Sequence, residues 1–132
     1  MREILFRGKN AKSGTWIISP SIRQEDDGSS VYLLVKRTWY LVDHETVGQY
    51  TGLTDNNGKK IFEGDILERR HKELLNHSQR MKIQFVLVKA CFAAVDIDGG
   101  NVTFISDYIN NKYELEIIGN IYDNPELLEI TE

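Results

Sequence analysis

Seventeen residues, MKIQFVLVKACFAAVDI from Met81 to Ile97, constrain this chain more than any other stretch. Ile83, Phe85, Leu87, Cys91, Ala93, Val95 and Ile97 share one parity, and Lys89 alone interrupts it. A two-residue period puts those side chains on one face of a sheet. The run is longer than an ordinary strand, so a bend or bulge near Val88–Ala90, or a division into two strands, is expected. DIDGGNVTFI then reads as a hairpin, because Gly99 and Gly100 tolerate the positive φ of a tight turn.

Strand signals recur on either side. EILFRG alternates, TWIIS follows a Lys-Ser-Gly turn, and VYLLVKR and WYLVD bracket a short connection. These are the β-branched and aromatic residues that pack on a pleated surface. PSIRQEDDGSS is polar and turn-rich, which suits a loop. YELEIIGNIYDNPELLEI supplies a final strand, a break at Gly119 and a short turn in which Pro125 suits the first helical position. ILERRHKELLNHSQR, Ile66 to Arg80, lacks Gly and Pro and spaces Leu67, Leu74 and Leu75 for a helix between two strands. The expected fold is mainly β: one small antiparallel barrel-like domain over residues 1–132 with one or two short helices, an α+β arrangement being the alternative.

The stretch TVGQYTGLTDNNGKKIFEGDIL holds four glycines in a short span. Asp55-Asn56-Asn57-Gly58 is a turn that joins a strand ending near Leu53 to one beginning at Lys59. Gly64 permits a sharp bend, and Asp65 is placed to accept backbone N–H bonds there. The spacing fits neither G-x-x-x-x-G-K-[ST] nor G-x-G-x-x-G, so the glycines shape the fold and do not cradle phosphate.

REILFRGK, VDHETVGQYTGLTDNNGKKIFEGDIL and EIIGNIYDNPELLE occur in this order along the chain. In sequence and layout they resemble the YopX family of phage and prophage proteins. The resemblance implies a mainly β architecture, a phage or prophage origin and self-association. It brings no established activity, and so no catalytic residues.

Composition excludes several classes. No run of about 18 apolar residues is present, so a membrane span is not expected. The charged start MREILFRGKN shows no secretory signal, and Cys91, the only cysteine, allows no disulfide framework; a cytoplasmic location in a bacterial host is expected. Asp96 and Asp98 fail a calcium loop at its glycine and final glutamate positions, and the Gly-Gly turn accounts for them. Glu73 and His77 share a helical spacing but make at most a weak pair of metal ligands. Asp43-His44-Glu45 has no Ser or Cys nearby to act as a nucleophile. No cofactor, metal, small-molecule ligand or catalytic residue is expected, and the chain reads as non-enzymatic.

The net charge of −4 hides an asymmetry. Residues 59–89 carry eight basic and four acidic side chains, and residues from 90 onward carry one basic and nine acidic. Lys59, Lys60, Arg69, Arg70, Lys72 and Lys82 are therefore candidate contact residues. The first expectation is a self-associating accessory protein, a homo-oligomer whose basic region faces the acidic third of a neighbouring copy. The alternative is a nucleic-acid-binding module that uses the same residues with an aromatic or two, against which the pI of 5.4 argues.

Overall fold

Short alternating runs separated by Gly, Asn and Asp turns fold into antiparallel strands. The computed structural model describes residues 3–25, 27, 29–74, 78–86, 91–98, 100–105 and 113–129. The chain divides into two compact units, Met1–Gly52 and Leu53–Glu132.

The first unit holds β1 (Phe6–Lys9), β2 (Trp16–Ser19), β3 (Ile22–Gln24), β4 (Val31–Val35), β5 (Thr38–Val42) and a 3-10 turn at His44–Thr46. β6 (Gly48–Thr54) begins here and carries the chain into the second unit. β1 pairs with β2 and β6, and β3-β4-β5 forms a separate sheet. Val31, Leu33 and Val42 form the core of this unit, with Phe6, Ile17 and Val47 packed against them. Burying each such side chain contributes about 1.5–3 kcal/mol. Ser19 ties the layers together: its Oγ donates to the Leu34 carbonyl at 2.6 Å and accepts the Ser21 N–H at 3.0 Å.

PSIRQEDDGSS was expected to be a loop, yet Ile22–Gln24 is a strand. Ile22, Arg23 and Gln24 pair with Leu33, Tyr32 and Val31, and all three are exposed. Backbone pairing holds β3 without a buried apolar side chain, so no apolar alternation marks it. The connection between β4 and β5 is a two-residue hairpin, Val35 facing Thr38. It needs positive φ at both central residues, and Lys36 and Arg37 supply φ of 49° and 72° where Asn-Gly is the usual pair.

The second unit contains β7 (Lys60–Phe62), β8 (Asp65–His71), β9 (Ser78–Val86), β10 (Cys91–Asp96), β11 (Val102–Phe104), β12 (Tyr113–Asn120) and a 3-10 turn at Pro125–Leu128. Its five-stranded antiparallel sheet runs β11-β10-β9-β8-β12. Ile61, Leu67, Met81, Ile83, Ala94, Ile105 and Leu115 form the core.

The 81–97 run resolves into β9 and β10, which pair from Val86↔Cys91 to Met81↔Asp96; Leu87–Ala90 lie outside the described residues. The expected helix over Ile66–Arg80 is overturned. Ile66–His71 belongs to β8 and Ser78–Arg80 to β9, and β8 is paired on both sides. Leu67 is fully buried opposite Met81, whereas Leu74 is 53% exposed, so the helical spacing never formed a buried stripe. The protein is mainly β, as expected. Among the described residues its sheets are open and do not close into a barrel, and the short helices are 3-10 turns.

The two glycine turns have distinct tasks. Gly58 (φ +80°) closes the turn headed by Asp55, which is buried. Asp55 Oδ1 accepts the N–H groups of Asn57 and Lys59, and Oδ2 accepts that of Ile117 at 3.0 Å. Asn56 exchanges two bonds with Leu115, its N–H donating to the Leu115 carbonyl and its Oδ1 accepting the Leu115 N–H. The turn therefore behaves as a one-residue strand along the outer side of β12. Gly64 (φ +92°) donates to the Ile83 carbonyl and accepts from the Ile121 N–H, while Asp65 Oδ2 accepts the Phe62 N–H at 2.8 Å.

Asp55→Ala strands three backbone donors and is expected to lower unfolding free energy by about 2–3 kcal/mol, read from the urea midpoint. Gly64→Ala meets two obstacles, the positive φ and a Cβ only 2.9 Å from the Tyr122 ring. In a Tyr122→Ala background it should cost measurably less than in the parent, leaving only the backbone share of about 1 kcal/mol or more.

Candidate functional site

Pleating decides what the six candidate cations can do together. Successive residues of a strand point to opposite faces, so adjacent Arg69 and Arg70 cannot share one. Arg69 lies on the Leu67 face at the end of β8. Its Nη2 donates to Gln79 Oε1, and its guanidinium sits 5.1 Å from the Tyr113 ring centroid. His71 meets the same ring edge-on at 5.1 Å, and its Nδ1 accepts the N–H groups of Glu73 and Leu74, closing the turn after β8.

Arg70 lies on the opposite face, where it forms ion pairs with Glu116 at 2.8 Å and Glu68 at 3.5 Å. The basic region and the acidic C-terminal third thus meet within one chain, because β8 and β12 are neighbours. Lys82 is half-buried between Ile66 and Val95, which are buried, so its stem adds apolar cover. Lys59 and Lys60 are exposed where the Asp55 turn enters β7, and Lys72 is exposed in the bend after β8. The six residues therefore spread over both faces of the sheet and two turns.

An open polar groove of about 370 Å³ lies in the second unit, lined by Glu68, Ser78, Arg80, Asp98 and Glu129 among others. Asp96, which ends β10, is buried, while Asp98 is exposed in the following turn. Among the described residues no group of three or more His, Cys, Asp or Glu side chains is arranged to hold a metal ion. His77, the proposed partner of Glu73, lies outside the described residues. Asp43 is the N-cap of the 3-10 turn His44–Thr46 after β5, where its side chain accepts the Glu45 N–H at 3.2 Å. Asp65 is likewise used on backbone, so Asp43, Asp55 and Asp65 build turns, whereas the buried Asp96 Oδ1 has no hydrogen-bond partner among the described residues.

The feature that sequence reasoning missed is the outer face of β3-β4-β5. The register places Arg23, Tyr32 and Leu41 side by side, with Leu34 and Trp39 in the next row. Arg23 stacks 4.8 Å from the Tyr32 centroid and 5.1 Å from that of Trp39. Trp39 and Leu41 are 36% and 43% exposed, so this face is apolar, aromatic and open to solvent. The signal was present in VYLLVKRTWYLV, where both parities are apolar and one core can absorb only one of them.

Among the described residues, no helix is long and apolar enough to cross a membrane. The fold and its surfaces define a class: a small antiparallel β protein whose polar clusters build turns and whose exposed features are sheet faces and sheet edges. The family model for YopX protein matches residues 5–129, and the chain belongs to the YopX family. It is similar in structure to protein yopX from Bacillus subtilis, with a TM-score of 0.65 and 18% identity over the whole of both chains. It is also similar to protein EF1440 from Enterococcus faecalis, with a TM-score of 0.57 and 22% identity over 98% of this chain and all of that one. At these identities the likeness concerns the fold alone. No curated protein matches the chain.

Exposed ion pairs contribute little, so a double-mutant cycle of Arg70→Ala and Glu116→Ala should return a coupling of about 0.3–1 kcal/mol that shrinks as salt is added.

Proposed function

We propose that this chain is a non-enzymatic, self-associating accessory protein of a phage or prophage, working in the cytoplasm of the bacterial host. Copies join edge to edge through β11. The observation that carries this reading is the unequal treatment of the two ends of the five-stranded sheet. At one end Asp55 and Asn56 occupy the outer side of β12. At the other end stands β11, beside which no further strand pairs among the described residues, and its Val102 is 53% exposed. An unprotected edge is a template for another strand, and proteins that must avoid pairing blunt their edges with charge. Two β11 edges meeting across a twofold axis would make a self-complementary contact that closes at the dimer.

The phage setting is supported by the resemblance to the YopX family, and the cytoplasmic location by the single cysteine, which allows no disulfide framework. The non-enzymatic role is supported by the way Asp55, Asp65 and Asp43 are committed to backbone donors. The charge-driven form of self-association draws less support, because Arg70 already has its partners in its own chain. A nucleic-acid surface built from the 59–89 cations has no specific observation in its favour.

Light scattering of the purified chain should give a dimer or larger species that survives added salt, and Val102→Lys should convert it to monomer with its thermal transition intact. A monomer at every concentration, or an oligomer indifferent to Val102→Lys, would remove the edge-pairing model.

A further inference from the structure

We propose that the outer face of β3-β4-β5, together with the Lys36-Arg37 turn at its end, binds single-stranded nucleic acid. In this arrangement bases stack on Trp39 and Tyr32, and the surrounding cations meet the phosphates. The inference goes beyond self-association and concerns a different unit of the chain.

Three observations converge on this surface. The first is the platform itself. Trp39 and Tyr32 are diagonal neighbours on one sheet face, with Arg23 stacked against both rings. Aromatic rings on a sheet, interleaved with guanidinium, accept any base because every base has a π-face. A groove of about 370 Å³ runs beside them, lined by Tyr32, Trp39 and Leu41 and by the Asn10–Ser13 turn that carries Lys12.

The second is charge. Lys36 and Arg37 stand at one end of the face and Lys12 at the other, and all three are exposed. Among the described residues Arg23 makes one ion pair, with Glu25 at 3.9 Å, and both side chains are half exposed, so a phosphate can displace that pair cheaply. Residues 1–52 hold seven basic and six acidic side chains, whereas residues 53–132 hold nine basic and fourteen acidic. Of the two units, the aromatic face therefore lies on the one whose net charge repels a polyanion less.

The third is strain. Lys36 and Arg37 both occupy the left-handed region, which long side chains adopt at a cost and which Asn-Gly would fill without one. Backbone strain kept at an exposed turn points to a purpose for the side chains that impose it. Here it is a pair of exposed cations at the turn that leads into the strand of Trp39.

The test is a fluorescence-anisotropy titration of a labelled oligothymidylate with the full chain. Binding should be seen at low salt and should weaken steeply as salt rises, because phosphate contacts release counterions. Trp39→Ala should lower affinity about tenfold, the effect of one lost stacking contact. Lys36→Asn/Arg37→Gly should lower affinity by a similar factor while leaving the melting temperature unchanged or higher, since it relaxes the turn. That variant separates binding from folding, and Val102→Lys, which addresses self-association, should bind the oligonucleotide like the parent. The proposal is overturned by no anisotropy change at low salt, by a duplex that binds as tightly as the single strand, or by a Lys36→Asn/Arg37→Gly variant that binds undiminished. It also falls if Trp39→Ala alters only the light-scattering mass, which would make this face a contact between copies.

Discussion

Three hydrogen bonds from one turn hold the outer side of β12. Asn56 exchanges two with Leu115, and Asp55 accepts one from Ile117. Leu115 is fully buried, and β12 is the partner that pairs β8 on the side away from β9. Removing the cap would leave backbone donors of a core-bearing strand without partners, at about 1–3 kcal/mol each. Much else in the second unit leans on this contact: Leu67 and Leu115 share its core, and Arg70 reaches Glu116 only while β12 is in register.

The same contact also decides which surfaces remain available. With β12 capped, β11 is the end of the five-stranded sheet beside which no further strand pairs among the described residues. Within the chain, Arg70 pairs with Glu116 and Glu68, so one cation of the basic region already meets the acidic third across the β8–β12 register. Two exposed apolar features stand out among the described residues, the Val102 edge in one unit and the Tyr32–Trp39 face in the other.

The chain belongs to the YopX family, and the Bacillus subtilis and Enterococcus faecalis proteins share its fold at 18% and 22% identity. Asp55, Gly58, Gly64 and Asp65 meet local backbone demands that few other residues can satisfy, whereas the sheet faces accept many apolar side chains.

Taken alone, the sequence determined the local chemistry. It placed the Asp55–Gly58 and Gly64-Asp65 turns, left the 81–97 run as either a bent strand or two strands, of which the second is found, and indicated the mainly β class, because two-residue periodicity and left-handed turn residues are properties of adjacent positions. It misjudged Ile66–Arg80, where a helix-compatible spacing gave way to pairing on both sides of β8, and Ile22–Gln24, which only a neighbouring backbone makes into a strand. Tertiary structure alone decided that Arg69 and Arg70 face opposite ways, that Asn56 completes β12 from 59 residues away, and that Arg23 meets Tyr32 and Trp39. Register across strands sets these relations, and register depends on residues distant in the chain.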